Sequence, residues 1–320
     1  MQVRRVGHSG LEVSRIGLGT MGFGVSSDET ASIDIVRAFL DGGGTLVDTA
    51  PVYAEGRGEA MLGSVLATLG VRDDVVLASK CVVGVRDGRV VQDASRGMLL
   101  RQLDASLEAL GTDHLDLWQL HGWDDRTPLE ETLSALEIAV TSGRVRYVGT
   151  CNLPGWLTAL TQATSLARPA GTGFVSAQVQ YSMLERSPEA EVVPATEHLG
   201  LGLLAWSPLA RGVLTGKYRH GTPADSRAAN PAWAAYMDPF LDAESTAVVD
   251  ALLRAADGLE VAPAHVALAW LRDRPTVASA LVGVRTPEQM TALLASEDVT
   301  LPPEIIEALD DVSSPDGWES

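Results

Sequence analysis

The sequence predicts an α/β protein in which short β-strands and longer amphipathic helices alternate from end to end. Eight short apolar runs alternate with segments of helical periodicity, about one pair every 30–40 residues. Several helical segments stop at a glycine, as helices often do, for example at Gly70, Gly111 and Gly143. Strands that alternate with helices form parallel sheets, so eight units predict one (β/α)8 barrel, the TIM-barrel architecture, as a single domain over residues 1–320.

The strands are expected where β-rich apolar runs occur, in this order: Ile16–Gly19, Thr45–Asp48, Val75–Ser79, Leu115–Leu120, Val145–Gly149, Val175–Val179, Gly202–Ala205 and Ala280–Val282. The helices are expected between and after them: Asp28–Leu40, Gly58–Leu69, Ala94–Leu110, Thr127–Thr141, Trp156–Ala167, Pro188–His198, Glu244–Gly258, Pro263–Leu271 and Pro287–Ala295. The first of these has an acidic N-cap, and Pro128 suits the first turn of the fourth.

Three segments fall outside the repeating pattern. Val3–Val13 is predicted to form a β-hairpin around Ser9-Gly10 that would plug the bottom of the barrel. The stretch Ser207–Asp242, after the seventh strand, is too long for an ordinary connection, and loops of that length are usually functional. Glu304–Val312 has the pattern of one extra, C-terminal helix.

A doubly wound open sheet is the structural alternative. It requires a glycine-rich turn between the first strand and the first helix, and Gly17–Gly24 fits that spacing superficially. However, Val25–Ser27 separates these glycines from the predicted helix start, so they do not open the helix. We therefore reject this alternative.

Composition excludes several classes of function. With 24 basic and 42 acidic residues, the formal charge of −18 disfavours binding to nucleic acid and to anionic membranes. The N-terminus lacks the apolar core of a signal peptide, and no apolar run approaches the ~18 residues of a membrane span. Two cysteines, Cys81 and Cys151, are too few for a disulfide framework. The expectation is a cytoplasmic protein without a metal site.

Lysine is nearly absent, since only Lys80 and Lys217 occur among the 24 basic residues. Lys80 follows the apolar run of the third predicted strand, where a cation packs poorly but suits catalysis. Asp48 ends the second predicted strand, Tyr53 follows five residues later, and His121 follows the fourth. Active residues of such barrels lie at the carboxyl ends of the strands, so these four side chains should meet at one rim.

Together these four residue types suit the reduction of a carbonyl group. A carboxylate holds the ammonium of Lys80 as a charged donor. That ammonium is expected to lower the pKa of the Tyr53 phenol from ~10 towards working pH. The phenol could then protonate an oxygen that gains negative charge, while the imidazole of His121 orients the same oxygen.

The chain resembles the aldo-keto reductase superfamily almost end to end, in the branch that includes potassium-channel β subunits and many bacterial reductases. The motifs that carry the resemblance are Gly17–Met21, Asp48–Tyr53 with Gly58-Glu59, Lys80, Leu120-His121, Gly143–Gly149, Asn152, Gln178–Ser182 and Trp206–Tyr218. The resemblance implies a catalytic tetrad of Asp48, Tyr53, Lys80 and His121, with Tyr53 as proton donor. It also implies NADPH bound across the rim without a Rossmann domain.

The resemblance further implies which residues contact the cofactor. Asn152 and Gln178 would bind the carboxamide, with Cys151 in place of the family's usual serine, and Trp206 would stack on the nicotinamide. Arg285 favours NADPH, although NADH stays open. The full set is Gly19, Thr20, Met21, Asp48, Cys151, Asn152, Gln178, Trp206, Ser207, Pro208, Leu209, Ala210, Lys217, Arg227, Gly283, Arg285 and Gln289.

The substrate is expected to be a small carbonyl compound, apolar or aromatic. The pocket rim should include Phe23, Tyr53, His121, Trp123 and parts of the loop Val82–Val91, which surround one polar centre with apolar groups. Two other functions stay open: a regulatory subunit that senses the cofactor on the same fold, and a Schiff-base lyase with Lys80 as nucleophile. The physiological substrate, the direction of the reaction and homo-oligomerisation are left open.

Overall fold

Eight parallel strands close into a barrel in the computed structural model, which describes residues 1–86, 89–224, 226–229 and 237–315. The barrel strands are β3 (Ile16–Gly19), β4 (Leu46–Asp48), β5 (Val76–Cys81), β8 (Leu115–Leu120), β9 (Val145–Cys151), β10 (Phe174–Gln180), β11 (Gly202–Trp206) and β12 (Val277–Val282). Their order around the barrel is β10-β11-β12-β3-β4-β5-β8-β9, and β10 closes on β9. The predicted (β/α)8 barrel is confirmed, and each predicted strand overlaps an observed one.

Helices surround the barrel: α1 (Glu29–Asp41), α2 (Gly58–Leu69), α3 (Arg96–Leu110), α4 (Leu129–Thr141), α5 (Gly155–Leu166), α6 (Pro188–Leu199), α7 (Ala243–Leu259), α8 (Pro263–Arg272), α9 (Pro287–Leu294) and α10 (Pro303–Val312). Asp28 caps α1 by accepting from the Ala31 amide. Gly70 and Gly111 end α2 and α3 in the left-handed conformation that glycine adopts most easily. Within the described part of the chain, no helix is long and apolar enough to cross a bilayer.

The N-terminal hairpin plugs one end of the barrel, as predicted. Its strands β1 (Val3–Arg5) and β2 (Glu12–Ser14) pair antiparallel. The buried side chains of Val6, Leu11 and Val13 belong to a cluster with barrel-interior residues such as Leu46 and Leu204. The hairpin therefore excludes water from the amino-terminal end of the strands and leaves the carboxyl end for a site.

A second hairpin follows β5, where a loop over Val82–Val91 was predicted. β6 (Val83–Arg86) pairs antiparallel with β7 (Arg89–Gln92), and Asp87-Gly88 between them lies outside the described residues. Val82 joins β5 to this hairpin with φ of 77°, a strained value for a β-branched residue. The loop prediction was wrong because strands were expected only in the barrel.

The described part of the long segment after β11 contains short helical turns. Described turns are Ala210–Thr215, Arg227–Ala229 and Asp238–Phe240. The rest of the predicted Ser207–Asp242 loop includes Asp225 and residues 230–236, which lie outside the described residues. The segment leads into α7 and α8, which pack on each other before the chain returns to the barrel at β12.

Candidate active site

Backbone strain concentrates at the carboxyl ends of the barrel strands. Eight non-glycine residues have positive φ in the described part of the chain, and seven follow β4, β5, β9 or β11: Ala54, Glu55, Val82, Asn152, Ser207, Ala210 and Arg211. Such conformations cost free energy and cluster at functional sites. The carboxyl ends of the barrel strands, called the rim below, are therefore the candidate functional site.

Asp48, Tyr53 and Lys80 meet at this rim. Asp48 is the last residue of β4 and Lys80 the penultimate residue of β5, while Tyr53 opens a 3-10 turn, Tyr53–Gly56. The Lys80 ammonium donates to Asp48 Oδ1 at 2.5 Å, to the Thr49 carbonyl oxygen at 2.9 Å and to Tyr53 Oη at 3.3 Å. Lys80 is 1% exposed, so its three protons are all used inside the protein.

Lys80 keeps its charge despite burial. Burial by itself lowers the pKa of a lysine, but Asp48, aided by Tyr53 and Cys151, outweighs it and raises the Lys80 pKa above its ordinary value. For Tyr53 the balance is the reverse. Burial raises the Tyr53 pKa, and the opposing effect of Lys80 does not cancel it, so the prediction of a lowered phenol pKa was wrong.

His121 directly follows β8 and lies edge-on to Tyr53, with 6.4 Å between the ring centroids and an angle of 86° between the planes. Burial and the nearby Lys80 charge lower the pKa of His121 to about 3, so the imidazole is neutral over the physiological range. Its Nδ1 is buried and has no hydrogen-bond partner among the described residues. The backbone amide of His121 donates to the Cys81 carbonyl, which fixes its position beside β5.

Two buried glutamines hold the other oxygen of Asp48. Gln119 Nε2 donates to Asp48 Oδ2 at 3.0 Å, and Gln178 Nε2 donates to the same oxygen at 2.9 Å. Gln178 was predicted as a cofactor contact, whereas Gln119 was not identified from the sequence. The signal was a single amide inside the apolar run of β8, because a polar side chain buried in a strand must find partners.

A second buried acid, Glu59, braces β5 next to Lys80. Glu59 of α2 accepts from Ser79 Oγ at 2.5 Å and from Ser106 Oγ of α3 at 3.0 Å. Burial raises the pKa of Glu59. Since Ser79 is the neighbour of Lys80 in β5, these bonds tie the strand to both helices behind it.

The residues predicted to hold a carboxamide are hydrogen-bonded to one another. Trp206 Nε1 donates to Asn152 Oδ1 at 2.9 Å, and Asn152 Nδ2 donates to the His121 carbonyl at 3.3 Å. Cys151 lies in register beside Gln178, and its thiol donates weakly to Gln178 Oε1 at 3.6 Å. Burial raises the pKa of Cys151 to about 12. In the described part of the chain, Gln178 Oε1 therefore accepts a hydrogen bond from a thiol alone.

The turn after β11 combines unusual backbone with a cation. Ser207, Ala210 and Arg211 have positive φ, and the Ser207 hydroxyl accepts from the Arg211 amide. Lys217 is exposed, and a Cβ added at Gly212 would lie 3.0 Å from its Nζ. Among the described residues Lys217 forms no ion pair. Pro208 and Leu209, predicted as cofactor contacts, also lie in this turn, whereas the Arg227 side chain is outside the described part of the structure.

The loops after β3 and β12 adjoin each other. A Cβ added at Gly283 would lie 3.7 Å from the Gly19 carbonyl oxygen, and Ser27 Oγ donates to the Arg285 carbonyl. Thr20 donates to the Asp48 carbonyl through both its amide and its hydroxyl, which ties β3 to β4. Gln289 Oε1 accepts from the Arg285 amide at the start of α9, while Met21 is partly exposed.

Of the remaining predicted substrate contacts, Trp123 is partly exposed and Phe23 is not. Phe23 is 1% exposed and packs in the main hydrophobic cluster. The neighbour of Trp123 is Asp124, which accepts from the Ala94 amide and from Thr127 and Arg126 side chains. Burial alone would raise its pKa, but these donors lower the pKa of Asp124 to about 2. They fix the loop that carries Trp123.

No site for a metal ion is formed within residues 1–86, 89–224, 226–229 and 237–315. In these ranges, no group of three or more acidic, histidine or cysteine side chains could hold one. The donors at the rim are instead an ammonium, a phenol, an imidazole and amides. That set suits an organic group that accepts or donates hydrogen bonds.

The chain is similar in sequence to known proteins over nearly its whole length. The model of the Aldo/keto reductase family matches residues 15–314. The oxidoreductase YrpG of Bacillus subtilis is 37% identical, over 100% of this chain and 98% of its own. A probable voltage-gated potassium channel subunit beta of Oryza sativa is 34% identical (100% and 99%), and the aldo-keto reductase YhdN of B. subtilis is 31% identical (92% and 88%). The chain thus belongs to the aldo/keto reductase family and is an NAD(P)H-dependent oxidoreductase.

Proposed function

We propose that this protein reduces an apolar or aromatic aldehyde or ketone to the alcohol, with NADPH as hydride donor and Tyr53 as proton donor. Membership of the family supports carbonyl reduction as the general reaction. The single observation that carries the assignment of Tyr53 is the contact of its Oη with the Lys80 ammonium at 3.3 Å.

That contact determines which way the phenol proton points. Lys80 is a donor only, so Tyr53 Oη accepts its hydrogen bond and directs its own O–H elsewhere. With a raised pKa, Tyr53 keeps this proton at neutral pH until an adjacent oxygen becomes strongly basic. The phenolate left behind then lies beside the Lys80 ammonium, which stabilises it at the moment of transfer.

His121 would orient the same oxygen. Its Nδ1 has no acceptor within the described structure, which favours the tautomer with the proton on Nε2. A neutral imidazole donates a hydrogen bond without competing as an acid. The low His121 pKa, caused by burial and Lys80, keeps this role available throughout the neutral range.

The residues at the rim fit a nicotinamide cofactor, which supplies a hydride when bound. Gln178 Oε1, whose one partner among the described residues is a thiol at 3.6 Å, suits the amide nitrogen of the carboxamide, with Asn152 beside it. Trp206 presents a partly exposed ring next to Asn152. The cradle after β11 (Ser207, Pro208, Leu209, Ala210) would border the pyrophosphate, with Gly19, Thr20, Met21 and Gly283 on the adjoining strand ends.

The cation near the expected 2′-phosphate, Arg285, supports NADPH over NADH. On a protein of net charge −18, an anionic ligand needs local positive groups. Lys217 beside Gly212 would serve the pyrophosphate, with Arg227 nearby in sequence. Arg285 and Gln289, at the start of α9, would receive the 2′-phosphate, where the helix N-terminus adds a favourable dipole. NADH in place of NADPH is the alternative outcome of the test.

The test is a panel of carbonyl compounds followed at the absorbance of reduced nicotinamide, with NADPH and NADH in parallel. We expect turnover with apolar or aromatic aldehydes and loss of roughly 10²–10⁴-fold in Tyr53→Phe, the usual contribution of a positioned acid. Tyr147→Phe is a matched control, because the Tyr147 hydroxyl lies near Gly10 at the plugged end. Full turnover in Tyr53→Phe would refute the assignment of Tyr53 as the proton donor.

A cofactor-sensing regulatory subunit is the second candidate, because one relative is by its name a potassium channel subunit beta. Steady turnover much faster than cofactor exchange would exclude it. A Schiff-base lyase is disfavoured, since the raised pKa of Lys80, held by Asp48, leaves no free amine as nucleophile.

We also propose a cytoplasmic location, which two free, buried thiols support. The organisation as one domain over residues 1–320 and any homo-oligomer stay predictions. Light scattering on the purified protein measures the second, and limited proteolysis the first.

A further inference from the structure

Gln119 lies inside the barrel and has no direct role in the proposed reaction. Its side chain is fully buried in β8, in register beside Lys80 of β5. A buried primary amide is costly unless its donors and acceptor are paired. The partners of Gln119 are the Asp48 carboxylate and the Gln178 amide.

These contacts fix the orientation of both amides. A carboxylate only accepts, so Gln119 and Gln178 must both turn their nitrogens towards Asp48 Oδ2, at 3.0 and 2.9 Å. Gln119 Oε1 then accepts a hydrogen bond from Gln178 Nε2 at 3.2 Å. The three side chains form a closed ring of hydrogen bonds, which turns Gln178 Oε1 away from Asp48 and towards the Cys151 thiol.

We propose that Gln119 is a positioning residue, which holds Asp48 Oδ2 so that Oδ1 meets the Lys80 ammonium and which couples Gln178 to that ion pair. The inference rests on the proposed reductase function. Without Gln119, one donor fewer holds the carboxylate, and Gln178 loses the acceptor that fixes its nitrogen. The position of Lys80 against Tyr53 Oη then becomes less defined, although no group that touches the substrate has changed.

The first test is Gln119→Met, which keeps the length of the side chain and removes its hydrogen bonds. We expect kcat per cofactor-binding site to fall roughly 10- to 100-fold, the range for a lost hydrogen bond to a charged group. KM for the carbonyl and Kd for NADPH should change less than about 3-fold, because those contacts remain. Tryptophan fluorescence counts the cofactor-binding sites.

Gln162→Met is the matched control. Gln162 is also buried, and it exchanges two hydrogen bonds with the Phe174 backbone, outside the Asp48 ring. We expect this variant to unfold at a lower temperature while kcat per site stays at the wild-type value. A merely structural role for Gln119 would give the same pattern in Gln119→Met.

The second test is Gln119→Glu, whose protonated carboxyl can still donate to Asp48 Oδ2. Once ionised, it cannot donate and it repels Asp48. The titratable groups around it are Asp48 on β4, Lys80 and Cys81 on β5, and Cys151 on β9. We therefore expect kcat to approach the wild-type value at acidic pH and to fall as pH rises, a step that the wild type lacks.

The same variant gives a readout without turnover. Burial and Asp48 should raise the folded-state pKa of the introduced acid above ~4.3, its value in the unfolded chain. Its stability relative to the wild type is then greatest below that pH and declines as pH rises through the folded-state pKa. Urea unfolding at several pH values measures this difference without cofactor or substrate.

Two results would overturn the inference. One is a Gln119→Met protein that keeps more than half of the wild-type kcat per cofactor-binding site. The other is a Gln119→Glu protein whose stability difference from wild type does not depend on pH, since the contact with Asp48 would then be absent. If the wild type reduces no carbonyl while the stability of Gln119→Glu follows pH as expected, the reductase proposal fails and the buried position of residue 119 stands.

Discussion

Lys80→Met should lower both stability and activity, and a second substitution at its partner should recover stability alone. Removing one member of a buried ion pair costs about 3–5 kcal/mol, because the remaining charge is left without its counterion. Asp48 would keep the two amide donors on Oδ2, so we expect the lower end, about 3 kcal/mol. In Lys80→Met/Asp48→Asn the unpaired charge is gone, and about 2 kcal/mol should return.

Urea unfolding gives these free energies, and thermal scans should show a shift of about 6 °C for the single variant. Carbonyl reduction should be lost in both variants, because neither holds an ammonium against Tyr53. Arg15→Met is the control: Arg15 pairs with Glu297 at 3.0 Å in a buried site away from the rim, so stability should fall while kcat is kept. The reasoning is refuted if the single variant loses less than about 1 kcal/mol, or if the second change destabilises it further.

Two further predictions concern the C-terminal helix and pH. Asp310 of α10 accepts a hydrogen bond from Trp270 Nε1 at 2.8 Å. Asp310→Ala should therefore lower the free energy of unfolding, measured in urea, by about 1–2 kcal/mol and speed the proteolysis of α10. A variant as stable as the wild type would contradict this prediction. Because burial and Lys80 lower the His121 pKa to about 3, the rate of reduction should show no step near pH ~6.5. Stability should instead decline as pH falls from ~6.5 towards 3, since only the unfolded state takes up the proton there, and less so in His121→Gln. A step in the wild-type rate near pH 6.5 would argue against a neutral His121.

The rim residues could be predicted because a polar residue at the end of an apolar run has few structural reasons to be there. Asp48, Lys80 and His121 all stand in that position, and parallel strands bring their carboxyl ends together. Gln119 was missed because it lies inside the predicted strand Leu115–Leu120, whereas Lys80 directly follows the predicted strand Val75–Ser79. Its importance depends on which side chains face it across β4 and β10, which one strand's sequence does not contain.

The two other differences also have physical causes. The hairpin β6–β7 lies outside the alternation of strands and helices from which the strands were predicted, although Asp-Gly between two valine-containing segments is a hairpin signal. The sign of the Tyr53 pKa shift depends on whether desolvation exceeds the effect of Lys80. Desolvation is set by tertiary burial, which residue spacing does not give.

The two ends of this barrel offer different prospects for protein engineering. At the end plugged by β1 and β2, the hairpin side chains Val6, Leu11 and Val13 of the apolar cluster can be repacked for thermal resistance, although Trp206 of the rim packs against the same cluster. At the opposite end, glycine in place of a residue with positive φ, such as Val82 or Ser207, would relieve backbone strain but make the loop more flexible. Directed evolution could then raise thermal stability through substitutions in the hairpin and change substrate selectivity through substitutions in the rim loops.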